Sequence, residues 1–119
     1  MDVVNINSKF DLINEHWSPK IISSLNGQDV KIAKIKGEFI WHSHKDADEL
    51  FMVIKGELKM AFRDHTKIVS EGEIIVVPKG VEHKPIAEEE VHIMMFEPVG
   101  TVNTGDIIDK RTVEDIERI

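Results

Sequence analysis

Neither cysteine nor tyrosine occurs among the 119 residues. The first absence excludes a disulfide scaffold, a thiolate zinc site and a thiol nucleophile. The second removes phenolic acid–base chemistry and any Cys–Tyr cross-link. Arginine is confined to Arg63, Arg111 and Arg118. Positive charge is in deficit overall, with 15 Lys and Arg against 22 Asp and Glu and a net charge of −7. Such a balance argues against nucleic acid or an anionic membrane as partner. Apolar runs such as Ile74–Val77 and Ile93–Phe96 are four residues each, where a membrane span needs about 20. Met1-Asp2-Val3-Val4-Asn5 carries no basic segment leading into an apolar one, so the sequence predicts no secretory leader and a cytoplasmic protein. The length suits one domain, 1–119, with a core large enough to need no staples.

What is present is a series of short runs rich in Val, Ile, Phe and Met, separated by Gly, Pro and Asn. They predict strands at 20–25, 30–36, 38–44, 49–55, 57–62, 66–70, 73–77 and 91–96. Asn26-Gly27 predicts a tight hairpin between the first two. Further turns are expected at Gly56, Asp64-His65, Gly72 and Pro78-Lys79-Gly80. Many short strands with little helix between them indicate an all-β antiparallel barrel or sandwich. Helix is expected only at the ends: Lys9–His16, capped by Asn7 or Ser8, and a turn opened by Thr112-Val113-Glu114-Asp115.

One stretch carries chemistry. His42 and His44 are two apart, which on a strand sends both imidazoles to one face. Glu49 reaches that face from the next strand, and His83 arrives just after the Pro78–Gly80 turn. Three imidazoles and a carboxylate converging in a barrel mouth suit a divalent first-row metal. The same alternation turns Phe39, Trp41, Leu50, Met52 and Ile54 outward. An apolar patch of that size calls for a cover, either the N-terminal hairpin or a second subunit, and a homodimer is the favoured expectation. His16, His65 and His92 read as solvent-facing or interface residues, and Glu88-Glu89-Glu90 as a solvated loop or strand end. Phe51, Val53, Ile40 and Met94 or Met95 are the candidates for the cavity lining.

The spacing of these residues resembles the two motifs of the cupin superfamily. The first runs Gly37, His42, His44, Glu49, Gly56; the second runs Gly72, Pro78, Gly80, His83. They occupy 37–56 and 72–87, ahead of a tail at 103–119. Two departures stand out: a gap of four rather than five residues before His42, and Ala87 where the family usually has Asn. The flanks His16-Trp17-Ser18-Pro19 and Thr101-Val102-Asn103-Thr104-Gly105-Asp106 resemble one group of small bacterial cupins, some of them described as similar to mannose-6-phosphate isomerase. The resemblance implies a cupin-type jelly roll. It also implies one divalent transition ion (Fe, Mn, Ni, Cu, Co or Zn) held by His42, His44, Glu49 and His83, with Glu49 doubling as the catalytic group. The expected partner is a small-molecule substrate or ligand. The expected activity is that of a metal-dependent oxygenase, ahead of an isomerase; a non-catalytic sensor or storage cupin is the alternative. A sugar-phosphate substrate is disfavoured, because all three arginines lie outside the motif strands and a phosphate dianion calls for Arg or Lys.

Overall fold

The computed structural model describes residues 1–119. In chain order the elements are α1 (Ile6–Phe10), β1 (Lys20–Leu25), β2 (Gln28–Glu38), β3 (Glu49–Lys55), β4 (Glu57–Phe62), β5 (Thr66–Ser70), β6 (Ile74–Val77) and β7 (His83–Pro98). Each strand pairing is antiparallel, in the order β1-β2-β7-β3-β6, with β4 lying between β5 and β7. Asn26 and Gly27 both take positive φ, 50° and 76°, as a two-residue hairpin with the native strand twist requires.

The 16-residue β7 organises the molecule. β2 runs beside almost all of it, from Gln28 opposite Pro98 to Glu38 opposite Ile86. The first part of β7 pairs with β4, Phe62 opposite His83, and the last part with β3, Leu50 opposite Phe96. One strand therefore belongs to two layers. The sheet folds over between them, near Glu88–Glu90, where β2 has a register shift between Ile35 and Gly37. Gly37, at φ 86°, takes up that irregularity. The result is an all-β, jelly-roll-type barrel with one short peripheral helix.

The inward residues of both layers form the core: Ala33, Ile35, Phe51, Val53, Leu58, Met60, Val69, Val77, Ala87, Val91, Ile93 and Met95. A second cluster, Phe10, Ile13, Ile22 and Ile32, lies on the outer face, where the N-terminal segment packs against Val30, Ile54 and Met94.

Several local expectations are corrected. Residues 39–44 form no strand; their only ladder contact is an isolated bridge between His42 and His83. The strands expected at 30–36 and 91–96 are longer, because β2 and β7 sustain each other's ladder through Pro85 and the acidic run. Glu88–Glu90 is thus mid-strand, exposed at the bend, with Glu88 paired to Lys59 and Glu90 to His16 and His92. The N-terminal helix sits earlier than 9–16, since Asn5 is its cap and accepts from Ser8 N at 2.9 Å. No helix forms at Thr112; its hydroxyl accepts from Asp109 N and bonds Thr104 instead of capping forward. Ala87 is fully buried in the core opposite Gly37. No helix is long and apolar enough to cross a membrane.

Candidate metal centre

His42 is placed by its reciprocal backbone bonds with His83, His42 N to His83 O at 3.1 Å and His83 N to His42 O at 3.0 Å. His44 is anchored by Gly80 N, which donates to its carbonyl at 2.9 Å. The Pro78–Gly80 turn is tied in turn to the 45–48 loop, through Lys79 N donating to Asp48 Oδ1 at 2.7 Å. Glu49 opens β3 opposite Val77. One ligand atom from each of His42, His44, Glu49 and His83 lies within 4.8 Å of the others, and all four residues are buried. The structure therefore brings together all four residues singled out in the sequence. The strand parity that linked His42 to His44 is replaced by two separate backbone anchors.

The donor set fits a metal ion. Nδ1 of His42 lies 2.9 Å from Ile40 O, and Nδ1 of His83 lies 2.9 Å from Val81 O. A carbonyl only accepts, so Nδ1 carries the proton in both rings and Nε2 is the position left open. His44 Nε2, His83 Nε2 and Glu49 Oε1 are buried without hydrogen-bond partners of acceptable geometry, although His44 Nε2 and His83 Nε2 lie 2.9 and 3.3 Å from Glu49 Oε1. Unpartnered buried polar atoms are costly unless something positive sits among them, either protons or a cation. Burial first, then the neighbouring His83, lowers the pKa of His42 to about 4. It is accordingly neutral near pH 7, the form in which imidazole ligates a metal.

Behind Glu49 lies a buried group absent from the sequence expectations. Lys31 Nζ donates to Glu97 Oε1 at 2.8 Å and to Thr101 O at 2.9 Å, with both side chains almost wholly buried. Burial and the facing Glu49 push the Glu97 carboxyl well above the usual range. Burial alone would raise Glu49 too, but the close approach of Glu97, His44 and His83 holds it well below. Of the two carboxyls, Glu97 is therefore the one that holds a proton, beside the Lys31 ammonium, and its Oε2, like Glu49 Oε1, has no hydrogen-bond partner. Parity held the signal: Glu97 continues the inward series Val91, Ile93, Met95, and Lys31 the series Ala33, Ile35.

A narrow cavity of about 40 Å³ opens beside the cluster. Its walls are mostly apolar and aromatic, including Trp17, Phe39, Phe51, Ile93 and Met95, with His42, Glu49 and Asn103 as polar members. Of the expected lining residues Phe51 and Met95 are present. Val53 is core, Met94 faces the outer cluster, and Ile40 does not reach the cavity. Phe39 was expected to face outward but is buried, stacked on Trp17 at 4.7 Å with its ring edge-on to His42. Without a strand at 39–44, alternation does not govern it. Trp41 remains half-exposed, capped by the Arg63 guanidinium 4.0 Å from its ring centroid. His16 and His65 are exposed, whereas His92 is half-buried on the outer face and stacks on Phe10 at 4.5 Å.

Comparison with known proteins agrees with this architecture. The cupin domain family matches residues 29–97. A cupin-2 domain protein of Shewanella frigidimarina superposes with a TM-score of 0.80 at 52% identity, covering 81% of this chain and 94% of that one. Protein NMB1881 of Neisseria meningitidis superposes with a TM-score of 0.76 at 30% identity, over 82% and 99% of the two chains. The uncharacterized protein YdbB of Bacillus subtilis is 41% identical over 64 residues, 53% of this chain and 57% of that protein. The chain belongs to the cupin family, and its buried His/His/Glu/His cluster can hold a metal ion.

Proposed function

We propose that this protein is a metal-dependent cupin enzyme acting on a small molecule, with oxygenase-type chemistry as the first reading and isomerase-type chemistry as the second. The observation that carries it is the buried convergence of three imidazoles and one carboxylate on a narrow aromatic cavity. A divalent ion held by His42, His44, Glu49 and His83 supplies Lewis acidity and, if it is redox-active, electrons. The chain's own residues do the rest. His42 and His83 keep their Nε2 atoms aimed inward through their bonds to Ile40 and Val81 carbonyls. Glu49 is the carboxylate that meets both the imidazoles and the cavity, and so takes up the substrate's proton. Trp17, Phe39 and Phe51 exclude water and favour a flat, unsaturated ligand. No lysine or arginine lines the cavity, which counts against a phosphorylated sugar.

Protein loaded in turn with iron, manganese, nickel, copper, cobalt or zinc, and offered dicarbonyl and catechol-like compounds, tests this reading. Oxygen uptake or isomer formation that disappears in Glu49→Gln is the expected result. Tight binding with no product from any loaded form would establish the non-catalytic binding reading instead.

The working unit is proposed to be a homodimer. On the outer face, Leu50 lies between Phe96 and Val76, and Met52 adjoins Ile74. The N-terminal segment covers Ile54 and Met94 but leaves Ile74 and Val76 at 58% and 51% exposed. A second copy is the natural cover.

A further inference from the structure

The C-terminal segment after β7 is a wall of the site. Asp106 N donates to Ser43 O at 3.2 Å, and Ser43 lies between the two histidines of the first motif. Gly105 packs so closely that a Cβ would collide with the Ser43 carbonyl and stand 3.5 Å from the His42 ring. The segment is braced from within. Asn103 Nδ2 donates to Arg111 O at 2.9 Å, and Val113 N donates to Asn103 Oδ1 at 2.8 Å. Thr104, fully buried, bonds Ile107 O and the Thr112 hydroxyl.

Asn103 also lines the cavity, where free polar capacity is scarce. The Trp17 indole N–H is committed to Lys36 O, and His42 and Glu49 belong to the metal cluster. An asparagine amide has two donor hydrogens and two principal acceptor lone pairs. Two of these four are used on Arg111 and Val113, leaving one N–H and one lone pair without a protein partner.

We infer that Asn103 is a ligand-orienting residue. Its amide, held rigid by Arg111 and Val113, hydrogen-bonds an oxygen of a compact, planar, uncharged or singly charged enol or catechol seated against the His/Glu cluster. This rests on the metal-and-substrate reading of that cluster. The aromatic walls match the planar body of such a molecule, and with no lining lysine or arginine, a divalent ion less the Glu49 charge leaves about one positive charge for the ligand to balance. Loss of one such hydrogen bond corresponds to about a tenfold loss of affinity.

The test uses cobalt-loaded protein titrated with 4-nitrocatechol by absorbance, alongside cobalt content and thermal midpoint. Asn103→Ala removes the amide. Asn103→Asp keeps the acceptor for Val113 N but removes the donor hydrogens, and Thr112→Val loosens the segment while leaving the amide intact. The expected result is one cobalt per chain throughout, nitrocatechol affinity about tenfold weaker in both Asn103 variants, and near wild-type affinity in Thr112→Val. Unchanged affinity in the Asn103 variants would overturn the inference, as would an equal loss in Thr112→Val. Wild-type protein that takes cobalt but ignores nitrocatechol overturns the inference and leaves the metal centre standing. Wild-type protein that takes no cobalt overturns both.

Discussion

At the scale of single residues, His42 sets how the centre answers to pH. Its pKa lies near 4 in the fold, against 6.5 when free. As pH falls below about 6.5 the unfolded chain takes up a proton that the folded chain refuses, so stability is lost from there down to about 4. The difference between the two corresponds to a loss on the order of 3 kcal/mol across that window. Urea melts of metal-free protein between pH 7 and pH 4.5 should therefore show falling stability, and His42→Asn should flatten the slope. An identical slope in the variant would show that His42 keeps its ordinary pKa. The identity of His42, His44, Glu49 and His83 as a cluster was legible from their spacing. Lys31 and Glu97 were not singled out, because the 66 residues separating them are closed only by the β2–β7 register.

Element by element, the long inward-facing β7 is where sequence and structure diverge most. Pro85 and Glu88–Glu90 look like an interruption when read along the chain, yet β2 carries the ladder past them. The short strands β3 to β5 and the Asn26-Gly27 hairpin were readable, since each is local and bounded by its own turn residues. Residues 39–44 have the alternating side chains of a strand, whereas the backbone there bonds to Pro85 and His83 rather than to a full ladder. The β2–β7 pairing also holds Lys31 against Glu97, and this pair responds asymmetrically to mutation. Lys31→Ala leaves buried carboxyls without their cation and should cost about 3–5 kcal/mol. Glu97→Gln keeps a neutral donor of the same shape and should cost much less. Equal losses in denaturant melts would mean that Glu97 is ionised in the fold.

For the whole molecule, the outer face is unevenly covered. The N-terminal segment seals one end over Ile32 and Met94, while Leu50, Met52, Ile74, Val76 and Phe96 lie outside that cluster. The sequence pattern pointed to an outward apolar face but placed Phe39 and Trp41 in it. Phe39 turns into the cavity, and Trp41 is capped by Arg63. Sedimentation equilibrium at micromolar concentration should give twice the chain mass, and Met52→Glu with Val76→Glu should reduce it to the chain mass. A monomeric wild type would remove the dimer from the account.

The central claim is that four buried side chains make one metal site, and metal stoichiometry tests it most directly. Elemental analysis of protein purified from its own host without chelators should give close to one transition ion per chain. His42→Ala combined with His83→Ala should reduce it to trace while the circular dichroism spectrum stays that of a β protein. One tightly held ion in the double variant, or none in the folded wild type, would contradict the account.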